Sequence, residues 1–384
     1  MIQSENLKNS DRQIYSHTGL RGIAAMVVFL FHLNGPQYHW GFDQRVSQFC
    51  HAGAYSVDLF FILSGFILNW VYLSHIEAPI QWATYLKARV ARIMPLYYLT
   101  LALSLPIPFY SLMKHGLAYV GQDYPMVLVS NLFMVSGIMD GWHVTMNAPA
   151  WSISVEFFCY LALFPVLNSI YRFLVSKRYG FAVSLLIVAL SIRLLVLCYR
   201  AQPIPILHCH WDSHWLARGV FGFTAGFFLC SIYRGASRRK PSVAVINLIV
   251  LGSIVVFILT RMDYLPIHLF LYALPFLVYF TAFDKGLSAY FLKLNQLQWL
   301  GERSYSIYLW HIPVMGFCFP ISEWINVRFF KVSNPGLIKY LILVAIVLVI
   351  SELSYRYFEV PCRDYIRRLG RKQNDSPSLA VPRI

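Results

Sequence analysis

Residues 242–260, SVAVINLIVLGSIVVFILT, decide the fold class, because this stretch has no charged side chain over nineteen positions. An α-helix rises about 1.5 Å per residue, so about twenty apolar residues cross the ~30 Å hydrocarbon layer of a membrane. A strand of a membrane barrel would instead alternate apolar and polar residues over about ten positions. The stretch therefore predicts a membrane-spanning helix.

Stretches of similar length and composition recur along the whole chain. Together they predict ten transmembrane helices, at residues 19–37, 54–74, 95–113, 149–171, 181–199, 214–233, 242–260, 264–283, 302–320 and 337–358. Of the 384 residues, 58% are hydrophobic and 13% are charged, about half the charged share of a typical soluble domain. We therefore predict an all-α integral membrane protein. A shorter apolar run at 125–139 is predicted to be an interfacial or re-entrant segment.

The positions of lysine and arginine predict the orientation in the membrane. If the N-terminus is cytoplasmic, most basic residues fall in inner segments, and by the positive-inside rule both termini are cytoplasmic. The net charge of +15 then indicates contact with anionic lipid headgroups rather than with nucleic acid. Three parts are expected: a cytoplasmic N-terminal segment (1–18), a transmembrane domain (19–362) and a basic, partly disordered cytoplasmic tail (363–384).

The first predicted helix contains two ionisable residues, Arg21 and His32. They are eleven positions apart, close to three helical turns, so they share one face and lie ~16 Å apart along the axis. Ionisable groups inside a bilayer are costly and often mark functional sites. The alternatives are that Arg21 extends to the inner interface and that His32 bonds to a neighbouring helix.

Two carboxylates are expected in the outer half of the membrane, Asp58 and Glu156. Either could orient the His32 imidazole, as a carboxylate does in hydrolase triads. The alternative for Asp58 is a favourable interaction with the N-terminus of its own helix. An unpaired Glu156 in an apolar stretch would need a partner or a proton.

Arg89 and Arg92 are three residues apart and share one helical face at the inner surface. Two guanidinium groups on one face suit a phosphate-bearing ligand that arrives from the cytoplasm. The alternative is that they anchor the topology, as basic residues do in any inner loop.

His311 lies in the middle of a predicted helix and is expected to line a polar cavity. Alternatively, it satisfies backbone carbonyls that Pro313 leaves without a donor. The loop at 208–214, HCHWDSH, contains several metal-ligand types. Its spacings match no standard zinc signature, so no metal site is predicted there, and a loop that binds sugar hydroxyls is favoured.

Six motifs in order resemble the membrane acyltransferase type 3 family, whose members O-acylate cell-surface polysaccharides and similar acceptors. They are Leu20–Ala25 with His32 completing R-x10-H, Val57–Phe66, Arg89-x-x-Arg92, Trp151–Phe158, Tyr305–His311 and Tyr357–Pro361. No single motif is specific. The ordered set covers residues 20 to 361, which makes a chance resemblance improbable.

The resemblance implies ten helices, an acyl-CoA donor on the cytoplasmic side, and a saccharide or glycolipid acceptor. The donor in this family is most commonly acetyl-CoA. Arg21 and His32 match the family's first-helix motif, and Arg89 with Arg92 matches its cytoplasmic arginine motif. Some relatives add a soluble SGNH esterase-like domain. This chain has none, which predicts a single-domain transferase. The analogy also places the protein in a bacterial cytoplasmic membrane.

Residues and resemblance together give a mechanistic hypothesis. The arginine pair binds the donor's phosphates, the pantetheine arm passes Arg21, and the thioester reaches His32. His32 then deprotonates the acceptor hydroxyl or is itself acylated. An indole N–H, from Trp151 or Trp310, is a candidate to stabilise the oxyanion.

A different class of function also fits a buried set of His, Glu and Arg side chains. A transporter or flippase could use such a set as a proton relay. The sequence shows no internal repeat, which argues against many transporter folds. A membrane scaffold without activity would leave the alignment of Arg21 with His32 unexplained.

Overall fold

The computed structural model describes residues 13–33, 53–73, 79–105, 124–138, 146–200, 214–236, 240–266, 268–325, 328 and 336–369. Within these ranges the chain forms helices and turns and contains no β-strand. Both chain ends and most of the histidine-rich loop at 208–214 lie outside the described residues. The all-helical class predicted from the sequence is confirmed.

The helices follow one another along the chain with short turns between several of them. In the first half they are α1 (Tyr15–Leu33), α2 (Gly53–Tyr72), α3 (Trp82–Ser104), α4 (Tyr124–Leu132), α5 (Ala150–Phe158), α6 (Phe164–Val175) and α7 (Gly180–Arg200). In the second half they are α8 (Trp215–Ala236), α9 (Val243–Arg261), α10 (Leu269–Thr281), α11 (Gly286–Leu292), α12 (Asn295–Glu302), α13 (Ser304–Ile325), α14 (Gly336–Ser354) and α15 (Val360–Arg368).

Two π-helical turns connect helices without interrupting them. Cys159–Leu163 joins α5 to α6, and Tyr355–Glu359 joins α14 to α15. A π-turn holds one residue more than an α-turn and often occurs at functional sites. It therefore changes which side chains share a face, and both of these turns supply residues to the site described below.

Among the described residues, seven helices are long and apolar enough to cross a membrane, so the chain is a multi-pass membrane protein. They are Tyr15–Leu33, Gly53–Tyr72, Ala150–Val175, Gly180–Arg200, Trp215–Gly235, Val243–Arg261 and Tyr340–Arg368. The other three predicted spans correspond to α3, α10 and α13. Of these, α3 carries three basic residues, α10 has only 13 residues, and α13 is rich in Tyr, Trp and Ser.

The predicted start of the third helix is wrong by more than two turns. The sequence predicts that the third helix begins at residue 95. The structure begins α3 at Trp82 and holds Pro95 inside it.

The short apolar run at 125–139 forms α4, which has nine residues and is too short to span the bilayer. An interfacial or re-entrant position for it stays a prediction.

The centre of the bundle is the contact of α2 with α8, to which α1 and α7 add. Glycines allow the two backbones to approach closely. A Cβ atom at Gly65 would lie 2.0 Å from the Phe223 carbonyl oxygen, and one at Gly226 would lie 1.8 Å from that of Ile62. Small residues at such contacts are typical of membrane helix packing. This contact fixes α2, which carries several residues of the site.

Candidate functional site

A cavity lies between α1, α2, α3, α5 and α13, and it brings together four of the predicted site residues. Its charged lining residues are Arg21, Arg89, Arg92 and Glu156, and serine and tyrosine hydroxyl groups add to the wall. The cavity and its mouth hold about 840 Å³ of space. Arg21 and the Arg89/Arg92 pair, which are far apart in the sequence, thus line the same cavity.

Arg21 projects into this cavity from α1 and is half-buried. Among the described residues its guanidinium has no hydrogen-bond acceptor and no ion-pair partner. Arg92 and Glu156 lie within electrostatic range. The predicted alternative, that Arg21 simply extends to the interface, does not account for a side chain that lines an interior cavity.

Arg89 is 6% exposed and also lacks a carboxylate partner in the described part of the chain. One of its amino groups donates to the Tyr72 hydroxyl at 3.3 Å, and its Nε has no acceptor. The guanidinium carbon lies 5.6 Å from the ring centroids of both Tyr72 and Tyr160. Aromatic faces stabilise a cation only modestly, so this positive charge stays largely uncompensated.

Arg92 differs from Arg89 although both face the same cavity. It forms an ion pair with Glu359, which also accepts a 2.6 Å hydrogen bond from Ser306. Glu352 lies four residues before Arg356 and Glu359 three residues after it, so helical spacing predicts that both carboxylates pair with Arg356. Glu352 does pair with Arg356, but the π-turn rotates Glu359 away towards α3, so that half of the prediction is wrong.

Glu156 accepts hydrogen bonds from two hydroxyl groups, those of Ser64 and Tyr160. Tyr160 lies in the π-turn that follows α5, and its backbone carbonyl accepts a 2.9 Å hydrogen bond from the Tyr85 hydroxyl. The turn thus folds Tyr160 back onto the carboxylate one turn earlier. The half-buried Glu156 carboxylate thus has two hydrogen-bond donors, and His32 is not one of them.

His32 meets His311 from the facing helix α13. The His311 Nε2 and His32 Nδ1 atoms are 3.2 Å apart, and the ring centroids are 5.0 Å apart. Each Nδ1 also contacts a backbone carbonyl one turn earlier: that of Val28 at 3.0 Å and that of Ile307 at 3.2 Å. The alternative of an interhelical hydrogen bond for His32 is therefore confirmed.

These contacts assign the tautomers of the two neutral imidazoles. A carbonyl oxygen only accepts hydrogen bonds, so each Nδ1 carries the proton. The His311 Nε2 lone pair then accepts the His32 Nδ1–H, which it shares with the Val28 carbonyl. This leaves His32 Nε2 with a lone pair, which is the state that a general base or a nucleophile requires.

The histidine pair lies beside the cavity, and neither ring is part of its lining, so the prediction that His311 lines the cavity is wrong. Tyr308 lines the cavity, and its ring centroid is 6.0 Å from that of His311.

The alternative role for His311, replacing the donor that Pro313 removes, is wrong. In an α-helix the carbonyl that loses its donor belongs to Leu309, and the Asn147 side-chain amide donates to it at 2.9 Å.

Asp58 has different partners from those predicted. It accepts two hydrogen bonds from Arg218, at 3.2 and 3.1 Å, and one from the Tyr199 hydroxyl. It does not contact His32. It also lies beyond the first turn of α2, which contains no acidic residue, so the helix N-terminus is not its partner either. Arg218 further donates to the Ala54 carbonyl at 3.0 Å.

The two candidate tryptophans differ in position, and the cavity lining contains neither. Trp151 stacks on Trp215 with 4.8 Å between ring centroids, and the Arg218 guanidinium carbon lies 5.3 Å from its ring. Trp310 is next to His311 in sequence, and its buried indole Nε1 has no acceptor among the described residues. Of the two, Trp310 keeps a free donor near the histidine pair.

A match to a family model completes the assignment begun by the motifs. The model, an acyltransferase domain, covers residues 14–356. The chain belongs to this acyltransferase family. The resemblance seen in the sequence is therefore confirmed.

Curated relatives match this chain over most of its length. The peptidoglycan O-acetyltransferase OatA of Listeria monocytogenes is 24% identical, over 92% of this chain and 56% of the relative. The acyltransferase MdmB of Streptomyces mycarofaciens is 27% identical, over 93% of each. The putative peptidoglycan O-acetyltransferase YrhL of Bacillus subtilis is 24% identical, over 92% of this chain and 55% of the relative. No solved structure matches.

This chain thus spans little more than half the length of the two peptidoglycan relatives. No group of three or more His, Cys, Asp or Glu side chains that could hold a metal occurs in the described ranges. The structure also adds residues that the sequence did not single out: Ser64 and Tyr160 in the candidate site, and Arg218 outside the cavity lining as the partner of Asp58. Arg218 had a signal, since it is an arginine inside a predicted span and needs a partner there.

Proposed function

We propose that this chain is a membrane-embedded O-acyltransferase that moves an acetyl or other acyl group from cytoplasmic acyl-CoA to a hydroxyl of a cell-surface or lipid-linked saccharide. One observation carries the proposal. A single cavity has arginines without carboxylate partners in its wall, and its wall also includes Tyr308, beside the paired His32 and His311. Ten spans, with both termini in the cytoplasm of a bacterial inner membrane, complete the proposal.

The arginines support an anionic donor. A buried guanidinium without a counter-charge is costly, and Arg21 and Arg89 both lack one in the described structure. Glu156 cannot neutralise both, since it is a single carboxylate that is bonded to two hydroxyls. Guanidinium groups bind phosphate through paired hydrogen bonds. The phosphates of a coenzyme A thioester would supply the missing negative charge.

The histidine pair supports the transfer step. The acceptor hydroxyl oxygen attacks the thioester carbonyl carbon while its proton moves to His32 Nε2. The carbon–sulfur bond then breaks, and the thiolate leaves with that proton, which regenerates neutral His32. In the covalent variant the His32 Nε2 lone pair attacks the thioester carbonyl carbon, and the carbon–sulfur bond breaks to release the thiolate. The acceptor hydroxyl then takes the acyl group from Nε2, the nitrogen–acyl bond breaks, and the hydroxyl proton goes to the thiolate. Both variants use the same lone pair.

The acceptor class rests on relatives rather than on the cavity. Two of the similar proteins bear names that state peptidoglycan O-acetylation. A saccharide hydroxyl presented at the outer side of the membrane is the acceptor that we propose here. The outer half of the site, where His32 lies three turns above Arg21, is where such an acceptor would meet the acyl group.

Acetyl-CoA is expected to raise the thermal stability of the purified protein in nanodiscs. At a hundredfold excess over Kd the stabilisation should be about 2.7 kcal/mol. Arg21→Gln and Arg89→Gln should each weaken binding about tenfold or more, because each removes charge-assisted hydrogen bonds. Arg92 is a poorer test, since its removal would leave Glu359 buried and unpaired.

Arg178→Gln is the matched control, because Arg178 is an exposed arginine in the turn between α6 and α7. It should bind acetyl-CoA as the unmodified protein does. Absence of stabilisation by acetyl-CoA or longer acyl-CoA at millimolar concentration would reject this donor. A transporter would in addition show no acyl-CoA consumption.

His311→Phe is expected to lower turnover by up to about tenfold, since it removes one hydrogen bond that holds the His32 ring. The KM for the donor should stay the same, because the arginines are untouched. His311→Asn, whose amide can still accept from His32, should recover part of the loss. A change confined to the donor KM would show that His311 acts in binding rather than in positioning His32.

A further inference from the structure

The last helix, α15, has two arginines on the face that packs inward. Arg363 and Arg367 are four residues apart and therefore share one side of the helix. Arg363 is buried and Arg367 is half-buried, whereas the next residue, Arg368, is exposed. A purely topological basic cluster would have no reason to bury two of its members.

The inward arginines face a third arginine that belongs to the cavity. α15 packs against α3, and Arg367 lies within electrostatic range of Arg363, of Arg89 and of the Tyr72 hydroxyl. Tyr72 is the residue that accepts the hydrogen bond from Arg89. Three guanidinium groups thus gather where α2 ends and the cavity wall reaches Arg89.

Among the described residues, the Asp364 carboxylate offsets the charge of these three arginines only in part. Arg363 contacts the neighbouring Asp364 at 3.3 Å, and that carboxylate is 39% exposed. The Nε groups of Arg89 and of Arg367 are buried and have no acceptor in the described part of the chain. Like charges held together in a partly buried space repel each other and favour an anion between them.

We propose that Arg363 and Arg367, together with Arg89, form a phosphate-binding site at the cytoplasmic mouth of the cavity. Resting on the proposed function, the site takes the nucleotide phosphates of the acyl-CoA donor. Arg89 belongs both to this cluster and to the cavity wall. A nucleotide held here would therefore direct the acyl-bearing arm into the cavity, towards Arg21 and His32.

A phosphate can also come from an anionic lipid headgroup, which offers the same chemistry. Burial favours the nucleotide: Arg363 is 4% exposed and Arg89 is 6% exposed. A lipid headgroup remains at the membrane surface, where exposed arginines such as Arg368 are available to it. The experiment below separates the two sources by the composition of the bilayer.

The test uses adenosine 3′,5′-bisphosphate, which carries nucleotide phosphates but no acyl group. Its Kd is measured for the full-length protein in nanodiscs of phosphatidylcholine. Arg367→Gln should raise that Kd about tenfold or more, because it removes charge-assisted hydrogen bonds. The Kd of Arg367→Lys should lie between those of the unmodified protein and of Arg367→Gln, because lysine keeps the positive charge but lacks the planar guanidinium group. Arg368→Gln is the matched control and should bind like the unmodified protein.

Three results would overturn the proposal: no binding by the unmodified protein, equal weakening in Arg368→Gln, or no change in Arg367→Gln. Loss of binding when phosphatidylglycerol replaces phosphatidylcholine would assign the site to lipid instead of nucleotide. Acetyl transfer from acetyl-CoA is measured in parallel. Arg367-dependent binding without transfer would reject the donor function and keep the phosphate site. Acetyl transfer without Arg367-dependent binding would reject the phosphate site and keep the donor function.

Discussion

His32→Ala is expected to lower acetyl transfer at least about a hundredfold, while the protein still inserts and folds. The variant removes the only group in the proposed mechanism that accepts the acceptor's proton, and general-base catalysis typically contributes about 10²–10⁴-fold. The measurement is transfer of labelled acetyl from acetyl-CoA to a saccharide acceptor, by protein reconstituted in nanodiscs. Binding of acetyl-CoA should change little, because the arginines remain.

His268→Ala provides the control for this experiment. His268 precedes α10, and its ring contacts Arg200 at 2.7 Å, away from the cavity. That variant should keep full transfer. If His32→Ala retained activity within a few-fold of the unmodified protein, neither the base mechanism nor the acyl-histidine mechanism could stand.

Asp58→Ala is expected to destabilise the fold by about 3–5 kcal/mol, because it leaves the Arg218 guanidinium buried without its carboxylate. Asp58 is fully buried and Arg218 is 4% exposed. The measurement is thermal unfolding in detergent, together with acetyl transfer per folded molecule. Transfer per folded molecule should change little, since Asp58 does not contact His32.

The double variant Asp58→Leu/Arg218→Met distinguishes a structural pair from a catalytic one. Replacing both members of a buried ion pair with apolar residues of similar size is often neutral for stability, so this variant should recover most of the lost stability. Full stability of Asp58→Ala with abolished transfer would contradict this assignment and return Asp58 to the reaction.

The wrong and missed assignments have a common physical cause. The sequence singled out Arg21, Arg89, Arg92 and Glu156 as candidate site residues, because the bilayer tolerates few ionisable side chains, and the structure places all four in the wall of one cavity. The sequence did not determine which acidic side chain pairs with which basic side chain. Partner choice depends on the rotation and depth of each helix, and a single π-turn was enough to move Glu359 from Arg356 to Arg92.

The contact between His32 and His311 also could not be predicted from the sequence. His32 and His311 were each recognised as unusual in their own helix, but they are 279 positions apart in the chain. No periodicity or motif spacing connects residues at that separation. Their 3.2 Å contact arises from the packing of α13 against α1, and with it come the tautomers that leave Nε2 of His32 available.

The sequence by itself determined the all-α membrane class, the acyltransferase family and most charged residues of the cavity. These depend on local hydropathy and on motif residues, which every helix carries regardless of its neighbours. Only the tertiary structure decided that His311 faces His32, that Arg218 neutralises Asp58, and that α15 brings Arg367 towards Arg89. Such contacts are set by how helices far apart in the chain pack and rotate against one another, and hydropathy does not encode that.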